Sequence, residues 1–158
     1  MRIGFGQDSH AFEKEQSNRP LILAGVVFPG HIALAGNSDA DVVMHAVTNA
    51  VSGITGVNIL GKIADKMCLE DGVTDSRAYL EEALKYLDRY TISNISISIE
   101  CKTPKISPRI EEMRISLAGI LGITVDRVGI TATTGEGLTA FGRGEGIQTF
   151  ATMLVEEK

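Results

Sequence analysis

The stretch from Gly36 to Ala46, Gly-Asn-Ser-Asp-Ala-Asp-Val-Val-Met-His-Ala, restricts the possible folds of this chain more than any other. Ser38 is a good N-cap residue, and Asp41, three positions on, reaches back to it in the manner of a capping box. Asp39 and Asp41 also put negative charge at the positive end of a helix dipole. The spacing predicts a helix from about Asp39 to Ile54, closed by Gly53 and Gly56. Its side chains include Val42, Val43, Ala46, Val47, Ala50, Val51 and Ile54, so most of the rod must be buried. Yet Asp41, His45 and Asn49 recur at every fourth position and form one polar stripe along it. Buried polar groups are costly unless they are paired, so this stripe has to meet polar partners. A hydrogen-bonded core histidine at position 45 would satisfy that need, and so would a metal ligand.

A partner for the stripe stands near the start of the chain. Arg2 to Ser9 reads as a strand ending in Asp8-Ser-His10, and residues two apart on a strand project from the same face. Asp, His and His with a fourth position open is the donor set of a catalytic zinc site, and Asp8, His10 and His45 supply it. Asp41, one turn before His45, is placed to orient the imidazole. The remaining histidine, His31, lies in a Pro/Gly turn and is expected in solvent.

The rest of the chain follows as one α+β domain over residues 1–158, with no linker and no internal repeat. Leu21-Ile-Leu and Val26-Val-Phe flank Ala24-Gly25 as a short hairpin. Residues 57–74 carry no clear period. A second, amphipathic helix opens at Asp75 and Ser76, with Leu80, Ala83, Leu84 and Leu87 on one face. Ile92 to Glu100 is the plainest strand, its isoleucines alternating with serines. Ser107 is expected to cap a third helix, with Pro108 at its first position and Gly122 after its end. Strands follow over Val128–Thr134 and Ile147–Val155. The order strand, hairpin, helix, helix, strand, helix, strand, strand implies a mixed β-sheet with helices packed on one face. The sheet's other face, bearing the isoleucines or the serines, then needs a cover, and self-association is the cheapest one.

Charge and composition exclude several classes. The net charge is −5 with no block of Lys or Arg, so neither nucleic acid nor an anionic membrane surface is an expected partner. No apolar run approaches the roughly 20 residues that cross a bilayer. Asp8 and His10 interrupt the place where a secretion signal would carry its apolar core. Cys68 and Cys101 form no CxxC pair, which fits a reduced cytoplasmic protein, although one disulfide remains compatible with the sequence.

Three further segments have the composition of ligand sites. Thr131-Ala-Thr-Thr-Gly-Glu-Gly137 offers hydroxyls and glycine N–H groups to phosphate oxygens, and Glu136 offers a carboxylate to a hard divalent ion. An ordinary small-residue turn has the same look. Lys102 and Lys105 form a basic turn. Gly142-Arg-Gly-Glu-Gly146 is glycine-rich but lacks the strand–turn–helix context of a dinucleotide fingerprint. No Ser or Cys stands beside a recognisable base, so covalent catalysis has no support.

Taken in order, these pieces resemble the 2-C-methyl-D-erythritol 2,4-cyclodiphosphate synthases of the non-mevalonate isoprenoid pathway. The resemblance rests on residues 2–10, Ser38 to Ala46, Asp75-Ser-Arg77, Pro104-Lys105, Ala132-Thr-Thr134 with Glu136, and Gly142 to Gly146. It implies a cytoplasmic homotrimer with active sites between neighbouring subunits. Zinc is implied on Asp8, His10 and His45, and a second ion, magnesium or manganese, on Glu136 and the substrate diphosphate. The implied substrate is 4-diphosphocytidyl-2-C-methyl-D-erythritol 2-phosphate, whose own 2-phosphate attacks the β-phosphorus and expels CMP. Its cytidine would meet Cys101, Pro104, Lys105, Ile106 and Ser107 together with Ala132, Thr133 and Thr134. Ser9, Ser38, Gly61, Phe141 and Arg143 join the implied substrate contacts, and Asn37, Asp41, Thr134 and Glu136 the implied catalytic set.

Some positions depart from the family pattern. Asn37 and Asn49 replace the usual His and Asp, the usual Gly-Asp-Ile-Gly reads Asn58-Ile-Leu-Gly61, and the usual Phe-Pro-Asp loop is altered around Ala64-Asp65-Lys66. Phe141 is one place from the usual aromatic position. These changes motivate a second reading, an impaired homologue that keeps trimer and metal and binds nucleotide without turnover. A third is an unrelated zinc hydrolase, for which Asp41 is the sole base in sight.

Overall fold

The computed structural model describes residues 1–158. Its main sheet holds β1 (Arg2–Ala11), β4 (Tyr90–Glu100), β5 (Val128–Thr133) and β6 (Gly146–Glu157). The spatial order is β1-β6-β4-β5, antiparallel except for the parallel pair β4/β5. The hairpin β2 (Leu21–Leu23) and β3 (Val26–Phe28) stands apart as a second small sheet. The mixed sheet expected from the sequence is present, and so is the element order. Both cysteines are free thiols.

Three helices cover one face of the sheet: α1 (Val42–Thr55), α3 (Ser76–Leu84) and α4 (Ile110–Leu121). The alternation of β4 decides which face. Ile95, Ile97 and Ile99 are buried beneath the helices, while Ser96 and Ser98 are exposed. The neighbouring strands agree, with Gly4, Gly6, Asp8 and His10 inward on β1 and Ile3 and Phe5 outward. Ile3 and Phe5 are 67% and 59% exposed, and Phe5 stacks on Phe150 of β6 with ring centroids 6.0 Å apart. The open face thus mixes small polar residues with exposed apolar ones.

α1 lies directly on β1 because the strand offers glycines where the helix backbone passes. A Cβ on Gly6 would stand 1.9 Å from the carbonyl oxygen of Ala46, and one on Gly4 would stand 2.0 Å from that of Ala50. No side chain fits between the two elements there.

Two capping expectations need correction. The N-cap of α1 is Asp41, whose side chain accepts from the Met44 N–H; Ser38 accepts from Ala40 N–H in the loop before it. Ser107 begins a 3₁₀ turn leading into α4 and gives no side-chain cap. The aperiodic segment after α1 folds as a four-residue helix, α2 (Lys62–Asp65), continued by a π-helical turn over Lys66–Glu70. Neither piece is long enough to show a period in the sequence. No helix is long and apolar enough to cross a membrane.

Candidate metal centre and nucleotide cleft

The end of β1 and the second turn of α1 bring Asp8, His10 and His45 together. Asp8 Oδ2 lies 3.0 Å from His10 Nε2 and 3.1 Å from His45 Nδ1, and the two ring nitrogens are 3.3 Å apart. Tetrahedral zinc with bonds of about 2.0–2.1 Å would separate its ligand atoms by about 3.3 Å, so this triangle fits the ion. The outer ring nitrogens are engaged as well. His10 Nδ1 is 2.7 Å from the Ala35 carbonyl and donates to it, which leaves Nε2 with its lone pair toward the site. His45 Nε2 is 2.8 Å from the buried hydroxyl of Ser76.

Electrostatics favour a ligand-ready carboxylate. Burial pushes the Asp8 carboxyl up, but hydrogen bonds and charge from both histidines outweigh it and hold it down at about 2. His10 is raised, chiefly by its hydrogen bond to Asp8 and against desolvation. The group that wins each contest is the neighbouring opposite charge.

Around the triad a cleft of about 230 Å³ is lined by Asn37, Ser38 and Gly61, with Leu60, Asp65, Cys68 and Tyr79. Asn37 is exposed at its mouth, and its backbone oxygen accepts from the Cys68 thiol at 3.3 Å. Cys68 escaped the sequence reading because its segment has no period; Tyr79 stands on α3, whose period marks a buried face but no site; and the sequence presents Asp65 only as part of the altered loop at 64–66. Ser9 does not join them; it lies between two inward residues and turns to the sheet's open face.

Asp41 does not play the part expected of it. Its buried carboxylate accepts from Ala24 N–H at 2.8 Å, Gly25 N–H at 2.7 Å and Met44 N–H at 3.0 Å. Burial pushes the carboxyl up, to about 6, while the backbone donors oppose the rise. The carboxylate ties the hairpin to the start of α1 and makes no hydrogen bond to the His45 ring, whose residue bonds Asp41 only through the backbone, N–H to carbonyl, at 3.0 Å. Asp41→Ala is expected to cost about 3 kcal/mol in a urea titration, since two buried N–H groups and a part-buried one lose their acceptor. Asp41→Asn should cost less, because Oδ1 can still serve Ala24 and Met44 while the new amide faces the Gly25 N–H. Equal losses for the two variants would refute that account.

A second cleft, of about 340 Å³, gathers Cys101, Pro104, Lys105, Ile106 and Ser107 from the loop after β4 and Ala132, Thr133 and Thr134 from the end of β5. The parallel β4/β5 pair sets these two segments side by side, with Ile99 opposite Ala132. Glu136, Phe141 and Arg143 lie outside both clefts. Glu136 is exposed in the turn after β5 at φ 56°, and Arg143 is exposed, 3.6 Å from Glu145.

The two clefts sit at opposite edges of one sheet. Asp8 pairs with Thr149, Thr149 with Ile99, and Ile99 with Ala132, so Asp8 and Ala132 share one rung. Three strand spacings separate them, about 14 Å.

A family model described as the YgbB family matches residues 1–156. The chain belongs to that family. Among YgbB relatives, a 2-C-methyl-D-erythritol 2,4-cyclodiphosphate synthase of Chlamydia caviae is 48% identical over 99% of this chain and 89% of its own. The protein of that name from Chlamydia trachomatis serovar D is 44% identical, over 99% and 88%. Solved structures agree. The bifunctional IspDF of Campylobacter jejuni superposes with a TM-score of 0.88 at 29% identity, over 99% of this chain and 42% of that one. The Plasmodium vivax synthase superposes with a TM-score of 0.81 at 30% identity, over 99% and 98%. A synthase structure described as a CDP-bound form gives 0.79 at 30% identity, over 98% and 100%.

Proposed function

We propose that this YgbB-family chain is a 2-C-methyl-D-erythritol 2,4-cyclodiphosphate synthase that converts 4-diphosphocytidyl-2-C-methyl-D-erythritol 2-phosphate to the cyclic diphosphate and CMP. The observation that carries this reading is the triangle of Asp8, His10 and His45, in a chain 48% identical to a protein of that name. An oxygen of the substrate's 2-phosphate forms a bond to the β-phosphorus. The bond from that phosphorus to the bridging oxygen breaks, and CMP leaves with the electron pair. The substrate supplies its own nucleophile, which agrees with the lack of an activated Ser or Cys. What remains for the protein is to position groups and to neutralise charge.

The roles divide between the clefts. Asp8, His10 and His45 would hold a divalent ion, taken as zinc, which acts as a Lewis acid on the phosphate oxygens. Asn37 and Ser38, at the mouth of that cleft, would donate hydrogen bonds to the phosphates. The substrate contact assigned to Ser9 runs through its backbone on this reading, since its side chain faces away. Thr134 would hydrogen-bond the transferring group, and Glu136 would place a second ion, Mg²⁺ or Mn²⁺, with the diphosphate. Lys105 would hold the nucleotide as a point charge, in a cleft whose remaining walls fit a cytidine.

A homotrimer with shared sites accounts for the separation of the clefts. Metal and nucleotide groups at opposite edges of a sheet meet when the β1 edge of one subunit faces the β5 edge of the next. Ile3 and Phe5 on the open face would be covered in the same assembly, with Phe141 and Arg143 near its axis. The enzyme would act in the cytoplasm. A turnover-impaired homologue is the less favoured reading, because the changes at Asn37, Asn49, 58–59 and 64–66 leave the triad and the nucleotide cleft intact.

The test is incubation of purified protein with the cytidyl substrate and Mg²⁺ or Mn²⁺. Release of CMP with an equal amount of cyclic diphosphate is the expected result. Tight binding with no CMP would favour the impaired homologue, and hydrolysis of an unrelated ester would favour the zinc hydrolase.

A further inference from the structure

Ser76 belongs to the Asp75-Ser-Arg77 motif, to which neither composition nor the proposed chemistry gives a task. Its hydroxyl is fully buried and has two neighbours, His45 Nε2 at 2.8 Å and the carboxylate of Asp39. A serine has one hydroxyl proton to give. The Asp39 carboxylate only accepts, so that proton goes to Asp39 Oδ1, and Ser76 Oγ must accept from His45. His45 therefore carries its proton on Nε2, and its Nδ1 turns a lone pair toward Asp8 and His10.

Asp39 is itself held in place. It accepts from the backbone N–H of Ser76 and from that of Asp41, both at 3.0 Å, and its own N–H donates to the Thr74 carbonyl at 2.9 Å. Ala40, between the two aspartates, adopts φ 55°, a conformation an alanine takes at some cost. That bend sends two carboxylates two residues apart to different duties, Asp41 to the hairpin and Asp39 to Ser76. The outcome is a chain of hydrogen bonds, Asp39 to Ser76 to His45, running from the loop before α1 through the first residue of α3 into the triad.

We infer that Ser76, backed by Asp39, is a positioning residue for the metal centre: it fixes the His45 tautomer and thereby sets the affinity of the Asp8–His10–His45 site for its ion. The inference rests on the metal-site reading above. Without Ser76 the His45 proton is free to move to Nδ1 and bond Asp8, which removes two ligand atoms from the ion at once. Groups of this kind behind a ligating histidine are typically worth 10–100-fold in metal affinity.

The experiment measures zinc affinity by competition with a chromogenic chelator, using the full-length protein, Ser76→Ala, Asp39→Ala and His45→Ala. Ring-nitrogen NMR on the zinc-free proteins at alkaline pH reads the tautomer directly, and melting curves check folding. Ser76→Ala should weaken zinc binding by about 10- to 100-fold and move His45 from the Nε2–H toward the Nδ1–H form. Asp39→Ala, which leaves the Ser76 hydroxyl no Oδ1 acceptor for its proton, should shift both readouts in the same direction. Wild-type affinity in Ser76→Ala, or weakened affinity with the tautomer unchanged, would overturn the positioning role. Zinc binding by His45→Ala as tight as wild type would instead overturn the metal site itself.

Discussion

His45→Ala is expected to leave a folded protein that no longer holds one zinc per chain and forms cyclic diphosphate at least about a thousandfold more slowly. The size follows from what the site would supply. A Lewis acid on a phosphoryl oxygen is worth several kcal/mol of transition-state stabilisation, and each 1.36 kcal/mol is about tenfold in rate. Two ligands remain in the variant, and Asp8 with His10 alone cannot close the 3.0–3.3 Å triangle seen with all three. The fold should survive because the imidazole stands at the edge of the core, 8% exposed and lining a cleft. Removing it costs about 1–2 kcal/mol, within the range of ordinary point changes. Metal analysis after gel filtration, circular dichroism and a CMP-release assay check the three parts. Stoichiometric zinc in the variant would remove the basis of the proposed function.

That the site was legible from sequence at all depends on two simple periods. Residues two apart on β1 share a face, and His45 falls on the polar stripe of α1, so the spacing offers the three as a candidate metal site, and the fold brings them together. The proposed nucleotide cleft was legible differently: the resemblance to the cyclodiphosphate synthases grouped Cys101–Ser107 with Ala132–Thr134, and the parallel pairing of β4 with β5 brings those segments together. What stands behind the triad was not legible. Asp41 and Asp39 are both carboxylates near His45 in sequence, and spacing alone favours Asp41. The choice between them is made by the left-handed bend at Ala40, a backbone property with no sequence signature in an alanine. Ser76 likewise reads as a helix opener from its neighbours, and only the tertiary approach of α3 to α1 reveals its hydroxyl against the imidazole. The segment from Lys62 to Glu70 failed for a third reason. A four-residue helix running into a π turn shows neither the 3.6 nor the 2.0 repeat over enough residues to be seen.

The second large effect concerns a residue that touches no ligand. Gly6→Ala is expected to destabilise the fold by about 3–5 kcal/mol and to weaken zinc binding in whatever folded protein remains. The added Cβ would lie 1.9 Å from Ala46 O, 2.4 Å from Ala50 N and 3.0 Å from Asn49 C, all backbone of α1. No rotamer change relieves a clash with backbone, so the whole helix must lift by an ångström or more, toward the ordinary contact distance of about 3.5 Å. His45 precedes Ala46 on that helix, and Asp8 follows Gly6 by two on the same face of the strand. Lifting α1 therefore lengthens the 3.1 Å separation between His45 Nδ1 and Asp8 Oδ2 directly. For a chain of this size the stability loss corresponds to a fall in Tm of about 10 °C. Gly119→Ala is the control, since it lies within α4 with nothing inside 4 Å of the new Cβ. There the same substitution should raise stability by up to about 1 kcal/mol, because alanine is the better helix former, and leave zinc untouched. If Gly6→Ala melted and bound zinc like Gly119→Ala, the contact between β1 and α1 could not be what sets the geometry of the triad.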